Sequence, residues 1–210
     1  MRKHRRTRVP ALLYVLVLAL SPHSPAGTIS VDDDGPADFT TIQAAIDAAV
    51  DGDTVIVQPG TYTGAGNRDI SFGGKAIPVR GVDPNDWDVV RRTIIDCQGT
   101  QNDPHRGFLF VTGEGPNSAL SGLTITGGYA PSISAGTNSG AVGGGICCNQ
   151  SSPSITRCVI SEGFAQYGGG GFFAHDGSPT IRQCEFQSNI SSTAGAGAME
   201  FWGGDPVVTG

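Results

Sequence analysis

Four consecutive residues, Asp103-Pro104-His105-Arg106, form the strongest local group of acid and base side chains in the sequence. Histidine exchanges a proton near neutral pH, and arginine can hold a carboxylate. We therefore take His105, Arg106 and Asp103 as candidate catalytic residues that could act on a carboxylate-bearing sugar. The simpler interpretation is a solvated turn, because proline and aspartate are common turn residues.

Three consecutive carboxylates, Asp32, Asp33 and Asp34, are a candidate for calcium binding, since calcium takes oxygen ligands. An EF-hand loop would place ligands at every second position and carry a late glutamate, and that pattern is missing. The simpler interpretation is a polar surface segment that precedes the predicted helix. We expect no cofactor and no metal site, with calcium kept as a candidate.

The composition favours a turn-rich, all-β protein. The 210 residues include 32 glycines and 13 prolines, and 15% charged residues argue against long exposed helices. After residue 8, eight basic residues stand against nineteen acidic ones. This balance argues against a nucleic-acid partner, because such a groove needs a basic stripe.

The N-terminal segment 1–26 has the pattern of an export signal. A basic start is followed by the ten apolar residues Ala11–Leu20, whereas a transmembrane helix needs about twenty. Small residues at Ser24 and Ala26 suit a signal peptidase, so we predict cleavage after Ala26. No second apolar span follows, and we expect a secreted or cell-surface protein with no transmembrane span in the mature chain.

An odd number of cysteines follows the export signal, so they cannot all pair within one chain. They are Cys97, Cys147, Cys148, Cys158 and Cys184. Export permits disulfides, and buried thiols are the alternative; for Cys158 and Cys184 we expect thiols stacked as small apolar residues. The sequence argues against a zinc site, because no C-x-x-C motif and no nearby histidine pair occur.

An internal repeat with a period of about 26 indicates the architecture. Three prolines recur at steps of 26 and 27: Pro153, Pro179 and Pro206. Residues 123–130 match residues 158–165 at a step of 35, so a short insertion lies near 131–139. Short strands with glycine corners at this period predict a right-handed parallel β-helix, whose coils stack about 4.8 Å apart. A propeller blade is the runner-up, but blades run nearer to about 40 residues.

Alternation along the strands separates inward from outward side chains. In one coil, Ile146 and Cys148 point inward while Cys147 and Asn149 point outward, and the next two coils follow the same rule. The outward residues form two adjacent columns, from which we predict a carbohydrate-binding face: Asn149, Phe173, His175, Glu200 and Trp202. Aromatic faces with polar neighbours suit sugar rings, although ordinary surface aromatics or burial under a loop would explain the pattern too.

The segment Asp38–Tyr62 reads DFTTIQAAIDAAVDGDTVIVQPGTY. It resembles the N-terminal segment of secreted right-handed β-helix proteins of the pectin-lyase-like superfamily, pectinesterases included. Thr40 and Gln43 have the spacing of a helix capping box. Four apolar residues form one helical stripe: Phe39, Ile42, Ile46 and Val50. We expect this helix to cover the open end of the first coil, where free strand edges otherwise invite aggregation.

A second resemblance lies in the repeats themselves. Gly144-Gly145-Ile146 and Gly170-Gly171-Phe172 come close to G-G-A-I, and Phe186-Gln187-Ser188-Asn189 is a complete F-x-x-N. These units resemble the repeats of polymorphic outer-membrane proteins. Other units depart from the pattern, since Ile160 leads to Gly163 where an asparagine would stand.

Catalytic motifs associated with this fold are missing from the sequence. Neither D-F-I-F-G of pectinesterases nor N-T-D and G-H-G of polygalacturonases occurs, and Asp86-Trp87-Asp88 lacks the histidine of the pectate-lyase-like W-x-D-H. The fold hosts enzymes, adhesins and inert scaffolds. We therefore predict a non-catalytic, exported surface or extracellular protein for adhesion or polysaccharide contact. The alternative is a carbohydrate-active enzyme, a polysaccharide lyase or pectinesterase-like, acting on acidic polysaccharide.

The domain prediction is a signal peptide at 1–26 and one β-helix domain at 27–210. A strand follows each repeated proline, and after Pro206 the sequence ends within that strand, at Val207–Gly210. We expect the β-helix to be C-terminally incomplete, with further coils or a C-terminal domain in an intact protein. The expected partner is a polysaccharide or a cell-surface glycan.

Overall fold

The computed structural model describes residues 25–131 and 141–210. The predicted signal peptide therefore lies outside the described residues except for its last two, and so does nearly all of the segment inserted near 131–139. Within the described residues the regular secondary structure is almost all short β-strands joined by turns and loops, with two short helices, α1 (Ile42–Ala48) and α2 (Trp87–Val90).

Twenty strands occur in the described residues. In chain order they are β1 (Thr28–Val31), β2 (Thr54–Val57), β3 (Gly60–Tyr62), β4 (Ile70–Ser71), β5 (Pro78–Gly81), β6 (Thr93–Asp96), β7 (Phe108–Phe110), β8 (Ala119–Ser121), β9 (Thr124–Thr126), β10 (Tyr129–Ala130), β11 (Ile146–Asn149), β12 (Ser154–Thr156), β13 (Val159–Ser161), β14 (Phe164–Tyr167), β15 (Phe172–His175), β16 (Thr180–Arg182), β17 (Glu185–Gln187), β18 (Ile190–Ala194), β19 (Met199–Trp202) and β20 (Val207–Thr209).

The strands form four sheets in which every pairing is parallel and links successive coils. Sheet 1 has the order β1-β2-β5-β8-β12-β16-β20, and sheet 2 has the order β3-β6-β9-β13-β17. Sheet 3 is β4-β7-β11-β15-β19, and sheet 4 is β10-β14-β18. The prediction of an all-β parallel β-helix is confirmed. No helix among the described residues is long and apolar enough to cross a membrane.

The interior consists of apolar columns, because residues at equal positions of successive coils are paired. Ile146 pairs with Phe172, and Phe172 pairs with Met199, as the repeat predicts. Ile155 pairs with Ile181 on sheet 1. These side chains belong to or pack on one continuous core, so each coil buries its apolar face only against its neighbours.

The corners between sheets explain two features of the repeats. Arg157 and Gln183 have φ values of 51° and 50°, and this left-handed backbone turns the chain between sheets 1 and 2 in two successive coils. Asn189, the asparagine of F-x-x-N, accepts the N–H of Gly163 at 2.9 Å and donates to the carbonyl of Ile160 at 2.8 Å. Its amide therefore ties one corner to the coil before it.

Helix α1 forms where the sequence predicts it, but the predicted capping box is wrong. The residue before the helix is Thr41, whose side chain makes no capping bond, and the N–H of Ile42 donates to Asn67 Oδ1 at 2.9 Å instead. The side-chain amide of Gln43 donates to the carbonyl of Ser71 and accepts the N–H of the same residue. The apolar stripe ends early, because Val50 is 60% exposed. Contacts to the next coil thus replace the local cap.

A buried carboxylate joins the corners of three successive coils. Glu114 is 2% exposed. Its Oε1 accepts the N–H of Gly74 at 3.2 Å and the hydroxyl of Thr112, and its Oε2 accepts the N–H of Thr112 and the hydroxyl of Ser151, both at 2.9 Å. Burial alone would raise the pKa of this carboxyl, but these hydrogen bonds favour the charged form and lower it.

One coil is much longer than the repeat. Val79 pairs with Leu120, so the step between equivalent positions there is far longer than the step between Ile155 and Ile181. The extra length lies partly in the segment around α2 and partly in the segment 97–107 between β6 and β7. The second of these segments carries the predicted catalytic candidates.

Candidate functional site

The predicted outward columns exist in the structure. Along sheet 3, Asn149 pairs with His175 and His175 pairs with Trp202, while Cys147, Phe173 and Glu200 occupy the adjacent column. The register therefore brings together the residues predicted for a carbohydrate-binding face. Parallel strands place equivalent residues of successive coils about 4.8 Å apart, so the Asn149–Trp202 column extends over about 10 Å.

Phe173 is the exception, because it is not available for stacking on a ligand. It is 3% exposed and packs with Cys147 and Val142, a residue that closely follows the inserted segment. Its ring meets the Trp202 indole edge to face, with centroids 5.1 Å apart and an interplanar angle of 83°. Phe173 is thus a buried support for Trp202, which corrects the prediction that both rings face solvent.

Trp202 is 49% exposed, and its orientation is fixed by hydrogen bonds. The indole Nε1–H donates to Glu200 Oε1 at 2.7 Å, and Glu200 Oε2 accepts the N–H of Ala196 at 3.0 Å. A rigid, half-exposed aromatic ring with polar neighbours can stack on a sugar ring.

His175 borders the indole and contacts two further polar side chains. The His175 ring lies 6.4 Å from it in an edge arrangement, and His175 Nδ1 is 3.2 Å from Asn149 Oδ1. On its other side, His175 Nε2 is 3.7 Å from a carboxylate oxygen of Asp176. We call the set Asn149, His175, Asp176, Glu200 and Trp202 the tryptophan face.

The three catalytic candidates lie in the long coil, beside two residues that precede β4. His105 Nδ1 is 2.5 Å from Asp69 Oδ2, and His105 Nε2 is 3.1 Å from Asp103 Oδ1. Arg68 lies 3.6 Å from the other oxygen of Asp103. We call Arg68, Asp69, Asp103 and His105 the histidine cluster.

The segment 97–107 is held in place by main-chain hydrogen bonds to the neighbouring strands. Asp69 N donates to the carbonyl of Arg106 at 2.6 Å, and Tyr129 N donates to that of His105 at 2.6 Å. Asp69 Oδ1 accepts the N–H of Arg106 at 2.8 Å. Asp69 is therefore fixed on one side of the His105 ring, which is 19% exposed, while the opposing Asp103 carboxylate is 66% exposed.

Arg106 has a different environment from the one the sequence predicts. Its side chain is buried, and its Nε donates to the carbonyl of Val142 at 3.1 Å. The guanidinium thus helps to hold Val142, which packs over Cys147 and Phe173. As a catalytic candidate, Arg106 is therefore largely out of reach of a ligand, whereas the side chains of His105 and Asp103 are 19% and 66% exposed.

Sequence reasoning missed Arg68 and Asp69, which lie 37 and 36 positions before His105 in the chain. Their only signal was an Arg-Asp pair directly before a strand. A histidine oriented by one carboxylate and facing a second, exposed one has the geometry of a general acid–base group. The solvated-turn interpretation fits Asp103 but not the partly buried His105.

The candidate calcium ligands are close together. Carboxylate oxygens of Asp32, Asp33 and Asp34 lie within 4.8 Å of one another, and Asp33 and Asp34 are exposed. Exposed acidic groups often cluster in this way without an ion. Calcium binding here stays a prediction.

The five cysteines, all within the described residues, are thiols rather than disulfides. Burial raises the pKa of Cys147 to about 11 and also raises those of Cys97 and Cys148. Cys158 is buried and Cys184 is half-buried at the equivalent place of the next coil, as predicted. A hydrogen bond from Cys158 lowers the pKa of Cys184.

Comparison with known proteins adds a distant structural likeness. No protein-family model matches the chain, and no curated protein matches it. Among solved structures, the chain is similar to the crystal structure of Escherichia coli YbhC, with 17% sequence identity and a TM-score of 0.41. The match covers 89% of this chain and 60% of that one, so this chain spans about three fifths of the YbhC chain.

Proposed function

We propose that this chain is an exported β-helix protein of the pectin-lyase-like superfamily that contacts polysaccharide without catalysis, in adhesion at a cell surface or in the extracellular space. The observation that carries the proposal is Trp202, a half-exposed indole fixed by Glu200 and supported from below by Phe173. The resemblance of Asp38–Tyr62 to secreted β-helix proteins supports export and the superfamily.

The geometry of Trp202 suits weak, repeated contact with a polymer. Because the indole is already immobilised, a sugar ring that stacks on it costs little further side-chain entropy. The column of polar groups beside it, Asn149 and His175, can bond with hydroxyls of neighbouring sugars. A single aromatic contact gives modest affinity, and a polymer with many equivalent sugars compensates by offering many sites.

Affinity electrophoresis tests the proposal. The chain is run through gels that contain neutral, amino-sugar or acidic polysaccharides, beside Trp202→Ala and the control variant Trp87→Ala. Trp87 is the other tryptophan of the chain and lies on α2, where Arg91 covers its ring at 5.4 Å.

We expect at least one polysaccharide to retard the wild-type chain, and Trp202→Ala to weaken that binding by about tenfold, which corresponds to about 1.4 kcal/mol. Trp87→Ala should migrate like wild type. Equal retardation of all three chains would refute glycan contact through Trp202 and place the binding elsewhere. Retardation in none of the gels would refute glycan contact and leave a structural spacer as the better description.

The second candidate function is a carbohydrate-active enzyme, a polysaccharide lyase or pectinesterase-like, acting on acidic polysaccharide. The histidine cluster favours it, because Asp69 orients a ring whose other nitrogen faces an exposed carboxylate. The test is incubation with polygalacturonate and its methyl ester, with and without calcium, followed by assays for reducing ends, unsaturated ends and methanol. Turnover that disappears in His105→Ala would establish this function and overturn the non-catalytic one.

A further inference from the structure

We propose that the tryptophan face binds a polymer of amino sugars in the ammonium form and discriminates against uronate polymers. This inference rests on the proposed function, because it names the class of glycan for the same face. It runs against the acidic substrates expected from the sequence resemblance.

The first support is the charge around the indole. Glu200 bonds to the Trp202 ring from one side. Asp176 lies beside the His175 ring, whose Nε2 is 3.7 Å from its carboxylate, and close to Gly203, the residue after Trp202, because a Cβ added there would lie 2.5 Å from Asp176 Oδ1. Two carboxylates therefore lie near the exposed ring, and His175 is the single basic side chain in the face.

The second support is the engagement of cationic side chains elsewhere. Of the eight basic residues after residue 8, six are engaged with carbonyl or carboxylate oxygens of the protein itself, five by hydrogen bonds and Arg68 by an ion pair at 3.6 Å. They are Arg68, Lys75, Arg80, Arg91, Arg92 and Arg106. A uronate polymer needs cations along its length, so it would meet mainly carboxylates here, and like charges repel.

An ammonium group can make two favourable contacts at this face. It can pair with the exposed Asp176 carboxylate, and it can lie against the electron-rich indole. Each contact is small at a solvent-exposed site, so together they should favour an amino sugar over its N-acetyl form by about fivefold or more. Asp176 carries the exposed charge that the ammonium group would meet, so it is the decisive residue to change.

A variant with a single tryptophan gives a direct readout. Trp87→Phe leaves Trp202 as the only tryptophan of the full chain, so its fluorescence reports contact at the face. The probes are oligosaccharides of equal length: glucosamine, N-acetylglucosamine and galacturonate, in a buffer that keeps the glucosamine amines protonated. Asp176→Asn is compared with the control Asp88→Asn, an exposed aspartate on α2.

We expect glucosamine oligosaccharides to shift the Trp202 emission at the lowest concentration, about fivefold or more below the N-acetyl series. Asp176→Asn should remove most of this preference, and Asp88→Asn should keep it. Binding of galacturonate, or equal binding of both glucosamine forms with Trp202 involved, would overturn the inference while the proposed function survives. If none of the three probes shifts the emission, the inference is overturned. If, in addition, no polysaccharide retards the chain in a Trp202-dependent way, the proposed function fails as well.

Discussion

Replacing Glu114 with glutamine should show how strongly one buried carboxylate holds this β-helix together. The substitution keeps the size and shape of the side chain and exchanges one acceptor oxygen for an NH₂ donor. In the folded chain each carboxylate oxygen of Glu114 already accepts two hydrogen bonds, one from a main-chain N–H and one from a hydroxyl. Whichever way the amide turns, its NH₂ must face a main-chain N–H, that of Gly74 or that of Thr112.

The expected cost follows from that conflict. A hydroxyl can rotate and become an acceptor, but a main-chain N–H cannot, so one buried donor loses its partner. A hydrogen bond to a charged group contributes about 1.5–3 kcal/mol, and an unsatisfied buried donor costs about 1–3 kcal/mol. Because these terms overlap, we expect Glu114→Gln to lower the free energy of unfolding by about 2–4 kcal/mol at neutral pH.

The effect should also depend on pH. The folded-state pKa of Glu114 lies below its ordinary value of 4.5, so the carboxylate stabilises the fold above that pH. As pH falls through the lower, folded-state pKa, the carboxylate takes up a proton and its contribution disappears. The difference between wild type and Glu114→Gln should therefore shrink below pH 4.5.

Urea titrations followed by circular dichroism at several pH values measure both effects. The matched control is Glu162→Gln, the same chemical change at an exposed corner, which should alter stability by less than about 0.5 kcal/mol. Equal stability of wild type and Glu114→Gln at neutral pH would refute the reasoning. So would a difference that stays constant as the pH is lowered well past 4.5.

Three further expectations concern the corners and the thiols. Asn189→Ala removes an amide that both accepts from and donates to the main chain of the preceding coil, so urea titration should show a loss of about 1–3 kcal/mol. Gly128→Ala drives a Cβ into the main-chain oxygen of Gly144 and should lower the melting temperature by about 5 °C or more. The control Gly115→Ala, whose Cβ meets nothing within 4 Å, should leave the melting temperature unchanged. Similar melting temperatures for the two variants would contradict the close approach at Gly128. Cys184, half-buried with a lowered pKa, should react first with a thiol reagent in the folded chain, and Cys147 should react only on unfolding; mass spectrometry of the labelled peptides checks the order.

The sequence predicts the repetitive part of this fold because a coil repeats both its period and its alternation. The regular step of the repeat places Ile146 beside Phe172, and the same rule turns both inward. The pairing across the insertion can also be predicted from the sequence, since Ile125 pairs with Ile160 as the match between segments 123–130 and 158–165 requires. Apolar columns must stay in register to be buried, so a slip of one position would expose every one of them.

The histidine cluster could not be predicted in this way. Asp103 and His105 belong to the long coil, which matches no other unit, and Asp69 lies in the coil before it, 36 positions before His105. Contact between them depends on the path of the segment 97–107, which local propensity does not determine. Sequence reasoning therefore found His105 and Asp103, which are neighbours in the chain, and missed the partner that orients the ring.

The tryptophan face shows why correct register alone did not predict exposure. Phe173 and Trp202 both point outward from sheet 3, but Val142 packs over the column that holds Phe173 and is itself held by Arg106. Val142 therefore covers Cys147 and Phe173, and it leaves the column of Asn149, His175 and Trp202 accessible. The repeat thus sets the direction in which a side chain points, and the non-repetitive segments decide whether a ligand can reach it. A binding face on a β-helix is then expected beside the edge of such a cover, where one ring is buried and can hold the next ring rigid.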